Sequence, residues 1–260
     1  MRRGAVIVGL LLVAVGSAAA ETIPLPRARP AQAPSAAATP AAEAQPSECR
    51  LQLTEKLAVA PSLPPIDLPG GCMAPDVVRL EAIVLKDGSH VAVTPPATLR
   101  CSMAEGIVNW VRDDMAGAVR QLGSSLRAID NAASFDCRGM NNIPGAKLSE
   151  HGHANALDIG ALRLTNGETV RLTDPHIARD LREEVKRTAC TRFSTVLGPG
   201  SDGYHEEHVH VDLMERAPGR FRFCHWDVRD PEPEGETAEN VPLPRPRPNF
   251  ERDHAAARGR

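Results

Sequence analysis

The stretch His205-Glu206-Glu207-His208-Val209-His210-Val211-Asp212-Leu213 decides how the chain is read. Apolar and polar residues alternate through it at period two, the pattern of a half-buried strand. On such a strand Val209, Val211 and Leu213 face the core, while His208, His210 and Asp212 share the other face and project together into a cleft. Upstream lies a second cluster, Ser149-Glu150-His151-Gly152-His153-Ala154-Asn155-Ala156-Leu157-Asp158. Five of the nine histidines (His151, His153, His205, His208 and His210) sit in these two stretches. Scattered core histidines do not group this way, so the pattern points to a metal or catalytic site. Glu207 lies three residues before His210, at the strand entrance, where a small backbone turn brings its carboxylate near the same point. A divalent ion with imidazole and carboxylate ligands needs such neighbours, one as ligand and one free to handle protons.

Working outward, short apolar stretches at 77–85, 156–164, 195–197 and 208–213 read as strands, separated by Gly, Asn or Pro signals such as Asn166-Gly167. Ser102-Met103-Ala104-Glu105 has the spacing of a capping box. Apolar residues recur after it at Ile107, Val108, Val111, Met115, Ala118, Val119 and Leu122, which predicts an amphipathic helix with Trp110 and Met115 in the core. A second helix is expected from Asp174 as cap and Pro175 in the first turn, through Ile177, Leu181 and Val185 towards Cys190. Helices and strands mix without regular βαβ alternation, which favours an α+β fold.

The chain has 260 residues, with 23 Pro and 20 Gly but only 5 Phe, 2 Trp and 1 Tyr. Twelve of the prolines fall in two flanks, 21–47 and 228–260, so these read as extended, solvated segments outside a medium-sized domain. Met1-Arg2-Arg3, the apolar run from Ala5 and the small residues Ser17-Ala18-Ala19-Ala20 have the layout of a signal peptide cleaved after Ala20. The apolar run is too short to span a bilayer comfortably. The expected organisation is a signal peptide at 1–20, a Pro/Ala-rich linker at 21–47, a folded domain at 48–227 and a disordered, charged tail at 228–260. A domain of that size folds without an obligatory partner, so a monomer is expected.

The six cysteines (Cys49, Cys72, Cys101, Cys137, Cys190 and Cys224) lie inside the domain and form no Cys-x-x-Cys pair. With a signal peptide they read as disulfides in an oxidising compartment, periplasmic or extracellular, with pairing left open among 15 connectivities. The formal charge of −3 gives no basic footprint for a nucleic acid. Ile23-Pro24-Leu25-Pro26-Arg27-Ala28-Arg29-Pro30 is echoed by Val241-Pro242-Leu243-Pro244-Arg245-Pro246-Arg247-Pro248. Plain spacers are the favoured reading of this echo, and docking of a polyproline-reading protein partner is its alternative.

The order Ser-x-His-x-x-x-x-Ala-x-Asp, then Glu-x-x-His or His-x-His, resembles the zinc D-Ala-D-Ala carboxypeptidase, dipeptidase and peptidoglycan endopeptidase group. That group shares the fold of the hedgehog amino-terminal domain. More narrowly, Cys137-Arg138, Leu148 to Asp158, Val196-Leu197-Gly198-Pro199-Gly200 and His205-x-x-His208-x-His210-x-Asp212 resemble the bacterial extensin-like carboxy-terminal domain family, over about Cys72 to Cys224. The resemblance implies a small antiparallel sheet with flanking helices and Zn2+ held by His151, Asp158 and His210. It also implies Glu207 as general base, His208 as partner to the developing oxyanion, Arg138 near the substrate carboxylate or scissile carbonyl, and Ser149 orienting the loop or the substrate. The wider family usually has Gly where this chain has Ala154.

A secreted zinc metallopeptidase is therefore expected, acting on peptidoglycan peptides as a D,D- or L,D-carboxypeptidase or endopeptidase. Three protein ligands would leave a fourth zinc position for water, whose pKa falls towards about 7. Glu206 competes with Glu207 for the base, and the Glu-x-x-His spacing favours Glu207. Asp212 reads equally as a partner for a ligand imidazole or as a cap at the strand end. His153 reads as a cleft-wall residue, and His90, His176, His225 and His254 as surface residues. No Gly-x-Ser-x-Gly elbow surrounds Ser149, which disfavours a serine hydrolase. A non-catalytic, zinc-containing cell-wall-binding module is the alternative class.

Overall fold

A computed structural model of the chain describes residues 46–217 and 222–231. The expected signal peptide, nearly all of the linker and the tail from 232 onward lie outside the described residues. Twelve strands run in chain order: β1 (Ala58–Val59), β2 (Ser62–Leu63), β3 (Ile66–Leu68), β4 (Cys72–Ala74), β5 (Val77–Val84), β6 (His90–Arg100), β7 (Leu126–Ala133), β8 (Ala156–Leu164), β9 (Thr169–Val170), β10 (Thr195–Leu197), β11 (Val209–Asp212) and β12 (Phe223–His225). The helices are α1 (Glu48–Gln52), α2 (Cys101–Trp110), α3 (Ala116–Arg120) and α4 (Arg179–Arg192). The fold is mixed, with one large sheet and few helices. No helix among the described residues is long and apolar enough to cross a membrane.

The sheet is larger than the small antiparallel one expected. Ten strands join it along the path β1-β5-β6-β7-β8-β11-β10-β12, with β2 on β5 and β9 on β8, while β3 and β4 form a separate ribbon. Two contacts, β6 with β7 and β10 with β12, are parallel. The helical segment from Cys101 to Arg120 crosses between β6 and β7, as a parallel pair requires. Strand β6 escaped prediction because Pro95 and Pro96 interrupt its pattern. Its register against β5 shifts, from Ala97 opposite Leu80 to Ala92 opposite Ala82, and both prolines fall within that irregular stretch, where a missing N–H is tolerated.

The two long helical segments differ from expectation at their starts. Helix α2 begins at Cys101 with Arg100 as N-cap and no side-chain cap, so Ser102 lies inside it. It continues through a π-helical turn, Val111–Met115, into α3, and the expected apolar residues still reach the core. Helix α4 starts at Arg179, later than expected, because Asp174 caps a tight turn instead: its Oδ1 accepts from His176 N at 2.8 Å. The buried Arg182 then donates to the carbonyls of Pro175, Ile177 and Arg229, tying that turn and the segment after β12 to the helix.

Alternation along the strands separates core from cleft. Leu157, Ile159, Val209 and Val211 join Ile107, Trp110, Leu181 and Val185 in one buried cluster, so α2 and α4 cover one face of the sheet. Trp110 meets Phe193 edge-on at 5.3 Å and donates its Nε1 hydrogen to Thr188 Oγ1. On the other face Asp158, His210 and Asp212 open onto a cavity. Val228 is buried and Asp230 pairs with Arg179, so packing continues beyond the expected boundary at 227.

Two glycines of the Val196–Gly200 stretch are needed for close approach. A Cβ on Gly198 would fall 2.6 Å from the Trp226 ring, and Gly200 adopts φ +80° against the Asp227 carboxylate. The cysteines pair as Cys49–Cys101, Cys72–Cys137 and Cys190–Cys224. The second bridge spans 65 residues and anchors the segment that carries Arg138. Replacing Cys72 and Cys137 together by Ser is expected to cost about 2–4 kcal/mol. Thermal denaturation of the double variant beside the native chain measures this.

Candidate metal centre

Strand pairing assembles the site. In the antiparallel β8–β11 pair Asp158 stands directly opposite His210, which places both side chains on one face of the sheet. His151 arrives from a short 3-10 turn, Glu150–His153, that precedes β8. Ser149 caps this turn by accepting from His151 N. Ala154 ends it in the left-handed region, at φ 50° and ψ 32°, a conformation that glycine adopts more readily than a residue with a Cβ.

The three side chains converge. One ligand atom from each of His151, Asp158 and His210 lies within 4.8 Å of the others, and all three residues are buried. His210 Nδ1 is 2.8 Å from Asp158 Oδ1 and 3.3 Å from His151 Nε2, which in turn is 3.3 Å from Asp158 Oδ2. Each imidazole has its other nitrogen occupied. His151 Nδ1 donates to the carbonyl of Ser134 at 2.6 Å, and His210 Nε2 donates to Asp212 Oδ2 at 3.1 Å. With those acceptors in place, Nε2 of His151 and Nδ1 of His210 are the atoms that face Asp158, and each offers a lone pair once its proton is lost. Two imidazoles and one carboxylate, open on the cavity side, are a donor set that suits a divalent ion such as zinc.

Asp212 fulfils both roles considered for it, because its Oδ1 also accepts from Met214 N at 3.0 Å. His208 lines the cavity, its Nε2 3.5 Å from Asp158 Oδ2. Arg138 and Ser149 line it too; the Arg138 Nε pairs with Asp136 at 2.9 Å. Glu207 is exposed and is not among the lining residues. Glu206 is committed elsewhere, accepting from Gly200 N at 2.8 Å and pairing with Arg229. His153, expected on the cleft wall, is not a lining residue; its carbonyl accepts from Arg100 Nε.

Polar lining residues with no role assigned from sequence include His205, Thr195 and Arg216. His205 is buried, bonds through Nδ1 to Asp202 Oδ1 at 2.7 Å, and sets its ring at a tilt 5.1 Å from that of His208. Its His-x-x-His-x-His spacing was the visible signal. Thr195 and Arg216 meet at 2.8 Å, and nothing local in the sequence marked either. The cavity measures about 480 Å³ and has an exposed apolar rim that includes Met140, Tyr204 and Phe223.

Burial alone would raise Asp158, but hydrogen bonds from His151 and His210 outweigh it and hold the carboxyl well below its ordinary range. For His210 burial disfavours the charged ring, yet hydrogen bonds and charge from Asp158 and Asp212 prevail and raise it from 6.5 to about 9. His208 is held below its ordinary value, first by burial and then by the neighbouring histidines, against the pull of Asp158.

The metal-free protein therefore keeps a proton on His210 at neutral pH. Stabilisation from this charge is complete below about 6.5 and is lost as pH rises through about 9. A metal ion taken up at this site would have to displace that proton. Zinc bound there at pH 7 would release about one proton from His210, and its apparent affinity would rise about tenfold per pH unit up to about 9. Calorimetric titration in buffers of different ionisation enthalpy reads both.

The family model described as the extensin-like protein C-terminus matches residues 47–225. No curated protein and no solved structure matches the chain. A match over most of the chain, covering every residue of the cavity cluster, places this protein in the extensin-like C-terminal family.

Proposed function

We infer that the chain is an exported zinc metallopeptidase that hydrolyses amide bonds next to D-amino acids in peptidoglycan stems or crosslinks, on a hedgehog/DD-peptidase-like fold. The observation that carries this reading is the convergence of His151, Asp158 and His210 at one cavity wall, with both imidazoles turned by oxygen acceptors. His151 Nε2, Asp158 and His210 Nδ1 would hold the ion. Zinc bound there supplies a Lewis acid that polarises a carbonyl and acidifies water.

The remaining roles belong to the chain. Asp212 and the Ser134 carbonyl keep the two ligand imidazoles in register. Proton handling at the reacting atoms falls to His208. Its place in the cavity beside Asp158, and a burial that favours the neutral imidazole, support it over the exposed Glu207. Arg138 and the apolar rim position the peptide.

One observation favours a second reading. Glu207, the base implied by the resemblance, stands outside the cavity, as it would in a wall-binding module that keeps the metal without turnover.

The two readings separate on purified sacculi. Zinc-loaded native protein is expected to release peptide fragments whose masses identify the bond cut. His151→Ala loses both metal and release. His208→Gln keeps the metal and slows release by about 100-fold or more, while Glu207→Gln stays near the native rate. The opposite pattern for those last two variants returns the base to Glu207. Retention on sacculi without any release establishes the binding module instead.

A further inference from the structure

The cavity has two arginines, and their surroundings differ. Arg138 already has an acid, Asp136, on its Nε. Among the described residues Arg216 makes one hydrogen bond, from Nη2 to Thr195 Oγ1, although a guanidinium has five donors to place. Its Nε is buried without an acceptor, and no carboxylate among the described residues lies within 4.0 Å of it. The acid nearest in register, Asp212, is spent on His210 and on the backbone of Met214.

Sheet order then fixes where this cation stands. Thr195 on β10 is opposite Asp212 on β11, and Phe223 on β12 is opposite Thr195. Arg138 follows β7, on the far side of β8. The ligand residues on β8 and β11 therefore lie between the two arginines. Leu197 is opposite His210, so Thr195 sits one strand across and two residues along from it, roughly 8 Å by strand geometry. About two residues of an extended peptide cover that span, at roughly 3.5 Å each.

We propose that Arg216, supported by Thr195, is a carboxylate subsite of this cavity, holding a free carboxylate that lies about two residues from the bond at the metal centre. An anion there supplies the acceptors that Arg216 lacks, and guanidinium and carboxylate match as a planar, bidentate pair. Phe223 and Met214 form an apolar wall beside it. The assignment deepens the peptidase reading and rests on it for the nature of the substrate. It makes Arg216 a specificity-determining residue. The carboxylate has two sources in a stem peptide, the C-terminus or the second carboxylate of a diamino acid.

Three synthetic stem peptides ending in D-Ala-D-Ala test it on the zinc-loaded full chain: one with both carboxylates free, one amidated at the C-terminus, one amidated at the diamino acid. The readouts are KM and kcat where turnover occurs and Kd by calorimetry where it does not. Arg216→Gln is expected to raise KM or Kd for the free peptide about 10- to 100-fold, with kcat changed little. Arg216→Lys recovers part of the loss, and melting curves show that both variants fold. The peptide amidated at the contacted carboxylate binds the native chain as weakly as it binds Arg216→Gln, which names the source. An unchanged constant for the free peptide, an equal loss with all three peptides, or no binding to the native chain overturns the subsite. Carboxylate-dependent binding without hydrolysis counts against the peptidase reading alone, and hydrolysis indifferent to Arg216 counts against the subsite alone.

Discussion

The register of β8 against β11 is the constraint on which the rest depends. Asp158 opposite His210 gives two of the three candidate ligand atoms at cross-strand distance with no loop involved. A slip of one residue would turn His210 and Asp212 into the helix-covered core and Val211 into the cavity, so packing and site select the same pairing. The pair lies inside the sheet, with β7 beyond β8 and β10 beyond β11, on elements held rigid from both sides.

Concentrating buried charge on this face has a cost, and the local chemistry offsets it. Asp158, His151, His210 and Asp212 are all nearly inaccessible, and each polar atom that faces the cluster has a partner. Such a network is stable only when satisfied, since an unpaired buried charge is strongly unfavourable. Behind it the core is modest in aromatics. Trp110, Trp226 and Phe193 are fully buried, and three disulfides supplement aliphatic packing. Cys72–Cys137 also lies close to the ligand loop: a Cβ on Gly152 would meet Leu148 at 2.8 Å and Cys72 Sγ at 3.2 Å.

Much of this was legible where the signal is local. The stretch 156–164 and the stretch 195–197 are strands as read, because branched residues and turn signals bound them. The alternation in 208–213 sorted valines from histidines correctly, since side-chain period in a strand depends on nothing distant. What failed depended on context. Pro95 and Pro96 hid the longest strand because a strand irregularity can hold them, and only the neighbouring strand reveals that irregularity. Asp174 looked like a helix cap, but an Asx turn uses the same side-chain chemistry, and the buried Arg182 favours that turn here.

By itself the sequence determined the two clusters and their spacing, because strand periodicity and short-range turns are properties of a few consecutive residues, and the family resemblance carried by that spacing singled out the three residues that converge. The tertiary structure decided which neighbours complete the cavity. Glu207 and His208 are adjacent in the chain, and the path into β11 turns one outward and the other in. His205 reaches Asp202 within one local turn, but Arg216 reaches Thr195 through a contact that no spacing encodes. That contact is set by how β10, β11 and β12 pack side by side, which depends on the whole sheet.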